Sequence, residues 1–219
     1  MLSSIYQTYA GLPEEVDQEF NRVSDLFKER MQCRKGCSSC CSQFFSISAI
    51  EAAYISSAVK KLDAQSREEM HGKGRDYLAE LTGSQIDEAQ SIQEHSSVIG
   101  PVLKQYAGRT HILCPALKDE ACVIYTHSPV IARKFGTPLW NPRNPRVLQA
   151  CELNFKAGEV IEAENLVEPQ MELEHRWLAF KNSVHQEIDL PDVVATVASA
   201  VLFDYEALLE DRIASKAGE

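Results

Sequence analysis

The chain has 219 residues, a net charge of −10 and 44% hydrophobic residues, a composition that can bury a core without disulfide bonds. Its longest uncharged apolar run, residues 193–203, is shorter than the roughly 20 residues that cross a bilayer, and the first thirty residues lack the apolar centre of a signal peptide. All of the negative excess lies in residues 152–219, and an acidic surface repels phosphate backbones, so neither a membrane nor a nucleic acid is an expected partner.

Helical periodicity dominates both ends of the chain. Apolar residues recur every three or four positions over residues 13–31, and a capping box at Ser48 and Glu51 predicts the start of a helix that runs to residue 61. The same patterns predict further helices at 64–82, 85–107, 169–185 and 191–213. Within them, Gly72, Gly74 and Pro101 are expected to weaken or break the helix.

The middle of the chain differs in character. Residues 109–155 contain five prolines and little periodicity, which indicates loops and one short strand at 122–125. The expected fold class is mainly α: a single helical domain, residues 1–219, located in the cytoplasm. Two cysteine-bearing loop regions, within about 30–151, are expected to join at a metal site, ahead of a C-terminal helical pair at about 169–213.

Cysteines are the residues with the clearest chemistry. The stretch R-M-Q-C-R-K-G-C-S-S-C-C places four of them within nine positions, and three more follow in the middle of the chain. In a reducing compartment, clustered thiols are metal ligands or redox groups more often than disulfides. The predicted metal ligands are Cys33, Cys37, Cys40, Cys41, Cys114, Cys122 and Cys151.

The surroundings of both cysteine regions favour an anionic thiolate site. No Asp or Glu occurs over residues 30–50 or 121–151, whereas basic residues occur in both. Nearby positive charge lowers thiol pKa values and so favours the ligating thiolate. Because side chains of neighbouring residues usually diverge, the adjacent pair Cys40 and Cys41 is expected to serve two metals, or one metal and one packing position.

The first three cysteines, spaced C-x3-C-x2-C, also match enzymes that generate a radical from S-adenosylmethionine on an iron–sulfur cluster. Besides this spacing, enzymes of that class resemble one another in three features: an aromatic residue before the third cysteine, a glycine-rich motif and repeated strand–helix units. Here Ser39 precedes Cys40, no such glycine motif occurs and the predicted elements are helical. The spacing alone is therefore weak support for that class.

A more specific resemblance spans residues 30–151. The order C-x3-C-x2-C-C, then C-P-x-L, then C-x-I-Y, a proline and R-x-F resembles the YkgJ-type cysteine-cluster family, which is described as zinc- or iron-chelating and includes the flagellin lysine N-methylase FliB. The matching residues are Cys33, Cys37, Cys40, Cys41, Cys114, Pro115, Leu117, Cys122, Ile124, Tyr125, Pro129, Arg133 and Phe135. The chain departs from the family at Ser128 and Ala132, where the pattern has an arginine and a cysteine. The resemblance implies a cysteine-held metal, with Tyr125 and Arg133 as candidate contacts to it.

The identity of the metal and the function stay open at this point. Iron–sulfur cluster or iron is preferred to zinc, because a tight cysteine group completed by a distant cysteine is a familiar iron–sulfur layout. Seven cysteines exceed one four-ligand site and are one short of two, which makes His111 and His127 candidates to complete the set, although an ordinary surface or core histidine is the better interpretation of each. The functions considered are a redox or metal-dependent role, a zinc-stabilised module that binds a protein partner, and a lysine N-methyltransferase resembling FliB.

Overall fold

The computed structural model describes residues 1–34, 36–106, 108–141, 148–156 and 159–218. Within these ranges the chain is mainly α, which confirms the expected fold class. The described helices are α1 (Leu2–Leu26), α2 (Ala49–Lys60), α3 (Ala64–Thr82), α4 (Ile92–Tyr106), α5 (Val130–Lys134), α6 (Val167–Ile188), α7 (Val197–Leu202) and α8 (Tyr205–Ala217). The described strands, each two residues long, form two antiparallel pairs, β1 (Gln43–Phe44) with β2 (Gly108–Arg109) and β3 (Leu117–Lys118) with β4 (Ala121–Cys122).

Helix α2 lies at the centre of the fold. Every residue from Ala49 to Val59 except Tyr54 is buried, and the helix packs against α7 and α8. A helix that is apolar on nearly all sides is stable only when neighbours cover it on nearly all sides. Its start is set by the predicted capping box, in which the Ser48 Oγ accepts from the Glu51 N–H at 3.2 Å and the Glu51 carboxylate accepts from the Ser48 N–H at 2.9 Å.

A second layer is formed by α1, α5 and α6. Tyr9, Leu12, Val16 and Val130 make a small buried cluster where α1 meets α5 and α6. Helix α1 begins eleven residues before the predicted start and contains Pro13, which is buried within this packing. Tertiary packing at Pro13 outweighs the lost backbone hydrogen bond. The helix ends at Leu26, five residues before the predicted end, where the Phe27 ring meets the Phe155 ring edge-on at 5.3 Å.

Other predicted elements also differ from those in the structure. Helix α4 begins at Ile92 rather than residue 85, because Ser91 and Glu94 form a capping interaction there. The predicted helix at 191–213 is two helices, since Thr196 caps α7 and the Asp204 side chain caps α8 after a break at Phe203. The predicted strand at 122–125 is wrong, because β4 ends at Cys122 and a 3-10 turn follows at Tyr125–His127.

Glycine and proline did not break α3 or α4. Gly72 and Gly74 lie inside α3, and Pro101 lies inside α4. A Cβ at Gly74 would lie 3.1 Å from the Leu202 side chain, so the missing side chain lets α3 pack closely on α7. None of the described helices is long and apolar enough to cross a membrane.

Candidate metal centre

The first four cysteines lie on the loop that connects α1 with α2. Gly36 makes a turn at φ +92°, and the Cys37 N–H donates to the Arg34 carbonyl at 2.9 Å. A short 3-10 helix, Ser39–Ser42, then carries the adjacent pair Cys40 and Cys41. The loop therefore turns twice within nine residues, which brings its cysteines to one side of the fold.

The second cysteine region is joined to the end of this loop by backbone hydrogen bonds. The Cys114 N–H donates to the Cys41 carbonyl at 2.7 Å, and the Thr110 N–H donates to the Ser42 carbonyl at 2.8 Å. The β3–β4 hairpin then places Cys122 opposite Leu117, eight residues after Cys114. The two cysteine regions, far apart in the sequence, are thus neighbours in the fold, as the prediction required.

A cavity of about 590 Å³ lies between these segments. Six of the seven cysteines line it: Cys33, Cys37, Cys40, Cys41, Cys114 and Cys122. The rest of the wall is largely apolar and includes aromatic side chains from four segments, namely Phe20, Phe44, Phe45, Tyr77 and Phe135. Every residue that carries the family resemblance lines this cavity, and so do Ser128 and Ala132, the two positions of departure.

The adjacent cysteines differ from the expectation that their side chains diverge. The Cys40 thiol donates a hydrogen bond to the Cys41 sulfur. This hydrogen bond raises the pKa of Cys40, which burial raises further, and it lowers the pKa of Cys41. The pair therefore consists of a donor thiol and an acceptor sulfur that favours the thiolate, and both are close enough to Cys114 and Cys122 to interact electrostatically with them.

Burial controls the acidity of the other thiols. It raises the pKa of Cys114 to about 12, and it raises the pKa values of Cys33 and Cys122. Smaller opposing effects come from backbone N–H groups, since Ala116 N–H points at the Cys114 sulfur and Ile124 N–H at the Cys122 sulfur. Hydrogen bonds of this kind stabilise a thiolate and tune any metal that it binds. Among the described residues, the nearby Arg133 guanidinium lowers the pKa of Cys122, as expected of a basic neighbour.

The cavity is lined by charged residues of both signs, including Arg34, Arg133 and Glu120. Glu120, one residue outside the acid-free stretch, lies at the turn of the β3–β4 hairpin and lines the cavity. Arg133 also lines the cavity, but its guanidinium is paired with the Asp17 carboxylate at 2.5 Å. Residues adjacent in sequence to the cysteines are thus not their only neighbours in space.

Tyr125 and Arg133, the two candidate cofactor contacts, interact chiefly with each other. The Arg133 guanidinium carbon lies 4.8 Å from the centre of the Tyr125 ring, and Arg133 donates to the Tyr125 and Ser128 carbonyls at 2.6 and 3.3 Å. Together with the Asp17 ion pair, these contacts use one donor from each of the three nitrogens of a buried guanidinium. The geometry fits a structural role that holds the segment after Cys122 against α1.

The histidines and Cys151 lie apart from the cavity wall. His111 is exposed and contacts the Glu80 carboxylate at 2.5 Å, and the His127 ring lies 4.4 Å from that of Tyr54. Neither histidine lines the cavity, which fits the interpretation of both as ordinary surface or packing residues. Cys151 is half-buried and interacts electrostatically with Cys33, but it is not part of the cavity lining.

Two residues that sequence reasoning missed hold Cys33 in place. The Asn154 side-chain amide donates to the Cys33 sulfur at 3.3 Å and to the Gly136 carbonyl at 2.6 Å. Gly136 has φ +111°, and a Cβ at this position would lie 2.5 Å from the Cys33 sulfur. Neither residue belongs to a motif with a cysteine, so only the fold relates them to the site.

The donor types fit a thiolate-held metal, although their sulfurs do not converge on one point. Across the part of the chain that the structure describes, no group of three or more His, Cys, Asp or Glu side chains is arranged to hold a metal ion. A cysteine sulfur moves by rotation about a single bond, χ1, so convergence requires rotamer changes rather than a new backbone path. The residues that would hold the group are the cysteines of the cavity wall.

Comparison with known protein families, curated proteins and solved structures finds no match to this chain. The resemblance to the YkgJ-type family therefore stays a prediction, and the residues that carry it are those of the cavity.

Proposed function

We propose that the chain binds a metal centre through the thiolates of its two cysteine loops, and that the centre is an iron–sulfur cluster or iron. The observation that carries the proposal is the shared cavity, which six cysteines from two distant segments line. Thiols that lie together can bind one metal centre, whereas dispersed thiols cannot. Soft thiolate ligands select iron–sulfur clusters, zinc and copper.

The size of the cavity favours a cluster over a single zinc ion. A zinc tetrathiolate draws four sulfurs to about 2.3 Å from one point, which leaves little space at the centre. Here six cysteines are among the residues that line a cavity of about 590 Å³. A wide space rimmed with thiols suits a group that itself has volume, and apolar walls limit the access of water and so influence the reduction potential of such a group.

The alternatives are a zinc-stabilised module that binds a protein partner and a lysine N-methyltransferase resembling FliB. Zinc uses the same soft ligands, so the metal must be measured to separate that alternative from the proposal. Methyl transfer would need a site for S-adenosylmethionine. The described strands are two residues long, which does not favour the strand–loop–helix unit that commonly binds such nucleotides. The supported role is metal binding, with redox or metal-dependent chemistry as the use of the centre.

Anaerobic purification followed by analysis of iron, zinc and acid-labile sulfide tests the proposal. We expect brown protein with iron and sulfide in similar amounts and broad absorption near about 400 nm that dithionite bleaches. A colourless preparation with stoichiometric zinc and no iron, after expression in excess iron, would replace the cluster with zinc. Well-folded protein with less than about 0.3 metal atoms per chain would refute metal binding altogether.

A further inference from the structure

The cavity extends beyond the space that a thiolate-bound metal occupies. A metal lies within bonding distance of its sulfur ligands, about 2.3 Å for a zinc–sulfur bond, and so takes up the space next to them. The volume of about 590 Å³ falls within the range of roughly 300–1,000 Å³ that is typical of pockets for small organic molecules. The chain therefore has room for a second molecule beside the proposed metal centre.

The walls of this space carry aromatic rings as well as thiols. The ring centre of Phe44 lies 6.2 Å from that of Tyr77, and both residues are buried. The ring centre of Phe45 lies 5.7 Å from that of Phe135. All four residues line the cavity. Because aromatic rings attract a further ring at their faces or edges, the walls favour a flat, apolar ligand.

The buried serine and threonine of the wall already have partners within the protein. The Ser128 hydroxyl donates to the Tyr125 carbonyl at 2.8 Å. The Thr196 hydroxyl accepts from the Ser199 N–H at 3.1 Å, as part of the cap of α7. Both hydroxyl groups are therefore satisfied without a ligand.

Arg133 is a buried charged residue of the wall that has donors to spare. It is 7% exposed, whereas Arg34 and Glu120, which also line the cavity, are exposed to solvent. Its guanidinium donates to the Asp17 carboxylate and to two backbone carbonyls, with one hydrogen bond from each nitrogen. A guanidinium has five N–H groups, so two of them have no partner among the described residues. Since an unpaired buried donor is costly, an acceptor oxygen on a ligand would be stabilised there.

We infer that the cavity binds a small, uncharged aromatic molecule, and that Arg133 donates a hydrogen bond to a carbonyl oxygen of this ligand. An uncharged ligand fits because the Asp17 carboxylate already balances the guanidinium charge, and because thiolates in the same wall would repel an anion. The inference goes beyond the proposed metal centre and does not rest on it, since the volume, the rings and the guanidinium belong to the chain itself.

Equilibrium dialysis of the anaerobically purified full chain against 2-acetylnaphthalene tests the inference, because this ketone is uncharged, aromatic and unreactive towards thiols. We expect one molecule to bind per chain. The matched probe 2-ethylnaphthalene lacks the carbonyl oxygen. After correction for the partition of each probe between water and cyclohexane, where no hydrogen bond forms, the ketone should bind at least about 10-fold more tightly than the hydrocarbon.

The variant Ala132→Leu locates the binding within the cavity and leaves every thiol and Arg133 in place. Ala132 is half-buried and lines the cavity, so the larger side chain should weaken ketone binding by about 10-fold. The control variant Ala179→Leu changes an exposed position on α6 outside the cavity lining and should leave ketone binding unchanged. Circular dichroism establishes first that both variants are folded.

Three results would overturn the inference: no binding of the ketone, equal corrected affinities for the two probes, or undiminished binding to folded Ala132→Leu. Metal content measured on the same preparation keeps this inference separate from the proposed function. Protein that contains metal but binds no ketone would refute only the ligand site. Folded protein that binds the ketone but contains no metal would refute only the metal centre.

Discussion

Gly136 shows how a single missing side chain sets the position of a cysteine. Its φ of +111° lies in the region that favours glycine, and a Cβ would meet the Cys33 sulfur at 2.5 Å. Gly136→Ala should therefore displace Cys33 and lower the free energy of unfolding by about 1–3 kcal/mol. It should also weaken the binding of the proposed metal by Cys33. Chemical denaturation and metal content, measured on the same preparation, check both effects.

Gly83→Ala is the matched control for that substitution. Gly83 also has positive φ, +69°, but a Cβ there would have no atom within 4 Å. The control variant should lose stability from backbone strain alone and keep its full metal content. Equal metal loss in both variants would show that the contact with Cys33 is unimportant.

The burial of His95 makes the stability of the fold depend on pH. It is 1% exposed, its ring lies 4.5 Å from that of Phe203, and its Nε2 has no hydrogen-bond partner among the described residues. Burial lowers the pKa of His95 from 6.5 to about 4. Between these two values the unfolded chain binds the proton and the folded chain does not, so this contribution to stability is full above pH 6.5 and is lost as the pH falls towards 4.

The expected loss of stability follows from the size of the shift in the pKa of His95. The free energy of unfolding should fall by up to about 3 kcal/mol between pH 6.5 and pH 4 through this residue. His95→Leu, which keeps the position apolar, should reduce the slope over that interval. Denaturation curves across the interval measure it, and identical slopes for wild type and variant would contradict the assignment.

The sequence pointed to the cysteines that line the cavity but not to the residues that contact them. Cysteines are recognisable because thiols clustered in a reducing compartment are seldom there for packing alone. Asn154 and Gly136 reach Cys33 by folding across long sequence separations, and each is an ordinary residue in its own neighbourhood. The sequence also did not show that Asp17 pairs with Arg133.

At the scale of elements, local signals predicted α2 and α3 nearly to the residue, whereas the observed bounds of α1, α4, α7 and α8 differ from the predicted ones. The capping box at Ser48 is a local interaction, and it sets the start of α2 as predicted. The break between α7 and α8 at Phe203 was missed because the apolar pattern runs through it. Apolar residues are buried both within a helix and at a break between two helices. The periodicity of apolar residues alone therefore does not locate the helix boundary.

Glu51 couples the start of α2 to α5, the short helix beside the cavity. Its carboxylate accepts from the Ser48 N–H and hydroxyl at 2.9 and 3.0 Å, and its other oxygen accepts from the Val130 N–H at 3.1 Å. Glu51→Ala leaves buried donors without partners, each at a cost of about 1–3 kcal/mol, so we expect a total loss of about 3 kcal/mol. Thermal and urea denaturation measure it.

Helix α4 provides the control for this prediction. Ser91 and Glu94 form the same pair of cap hydrogen bonds there, but on the exposed surface and without a contact to another helix. Glu94→Ala should therefore cost at most about 1 kcal/mol. Similar losses in the two variants would mean that the Val130 contact adds nothing to the local cap.

For the whole molecule, the helices and the cysteine loops are held together by different means. Helices α2, α3, α7 and α8 share one extensive buried core that includes Ile50, Ile55, Leu78 and Leu209. The loops around the cavity are held by two-residue strand pairs, single backbone bonds and the Asn154 contacts, and all seven cysteines are free of disulfides. Metal binding would therefore stabilise the loops more than the helical core.

Removal of the metal should accordingly unfold part of the molecule and spare the rest. We expect a chelator, or any one of Cys37→Ser, Cys40→Ser, Cys114→Ser and Cys122→Ser, to increase amide hydrogen exchange in residues 30–45 and 108–128. Exchange in the middle of α2 and α3 should change little, because their apolar burial does not involve the thiols. Mass-spectrometric exchange on metal-loaded and stripped protein makes the comparison segment by segment. A uniform rise in exchange across the helices would show instead that the metal is required for the whole fold, as in small zinc domains that have no core of their own.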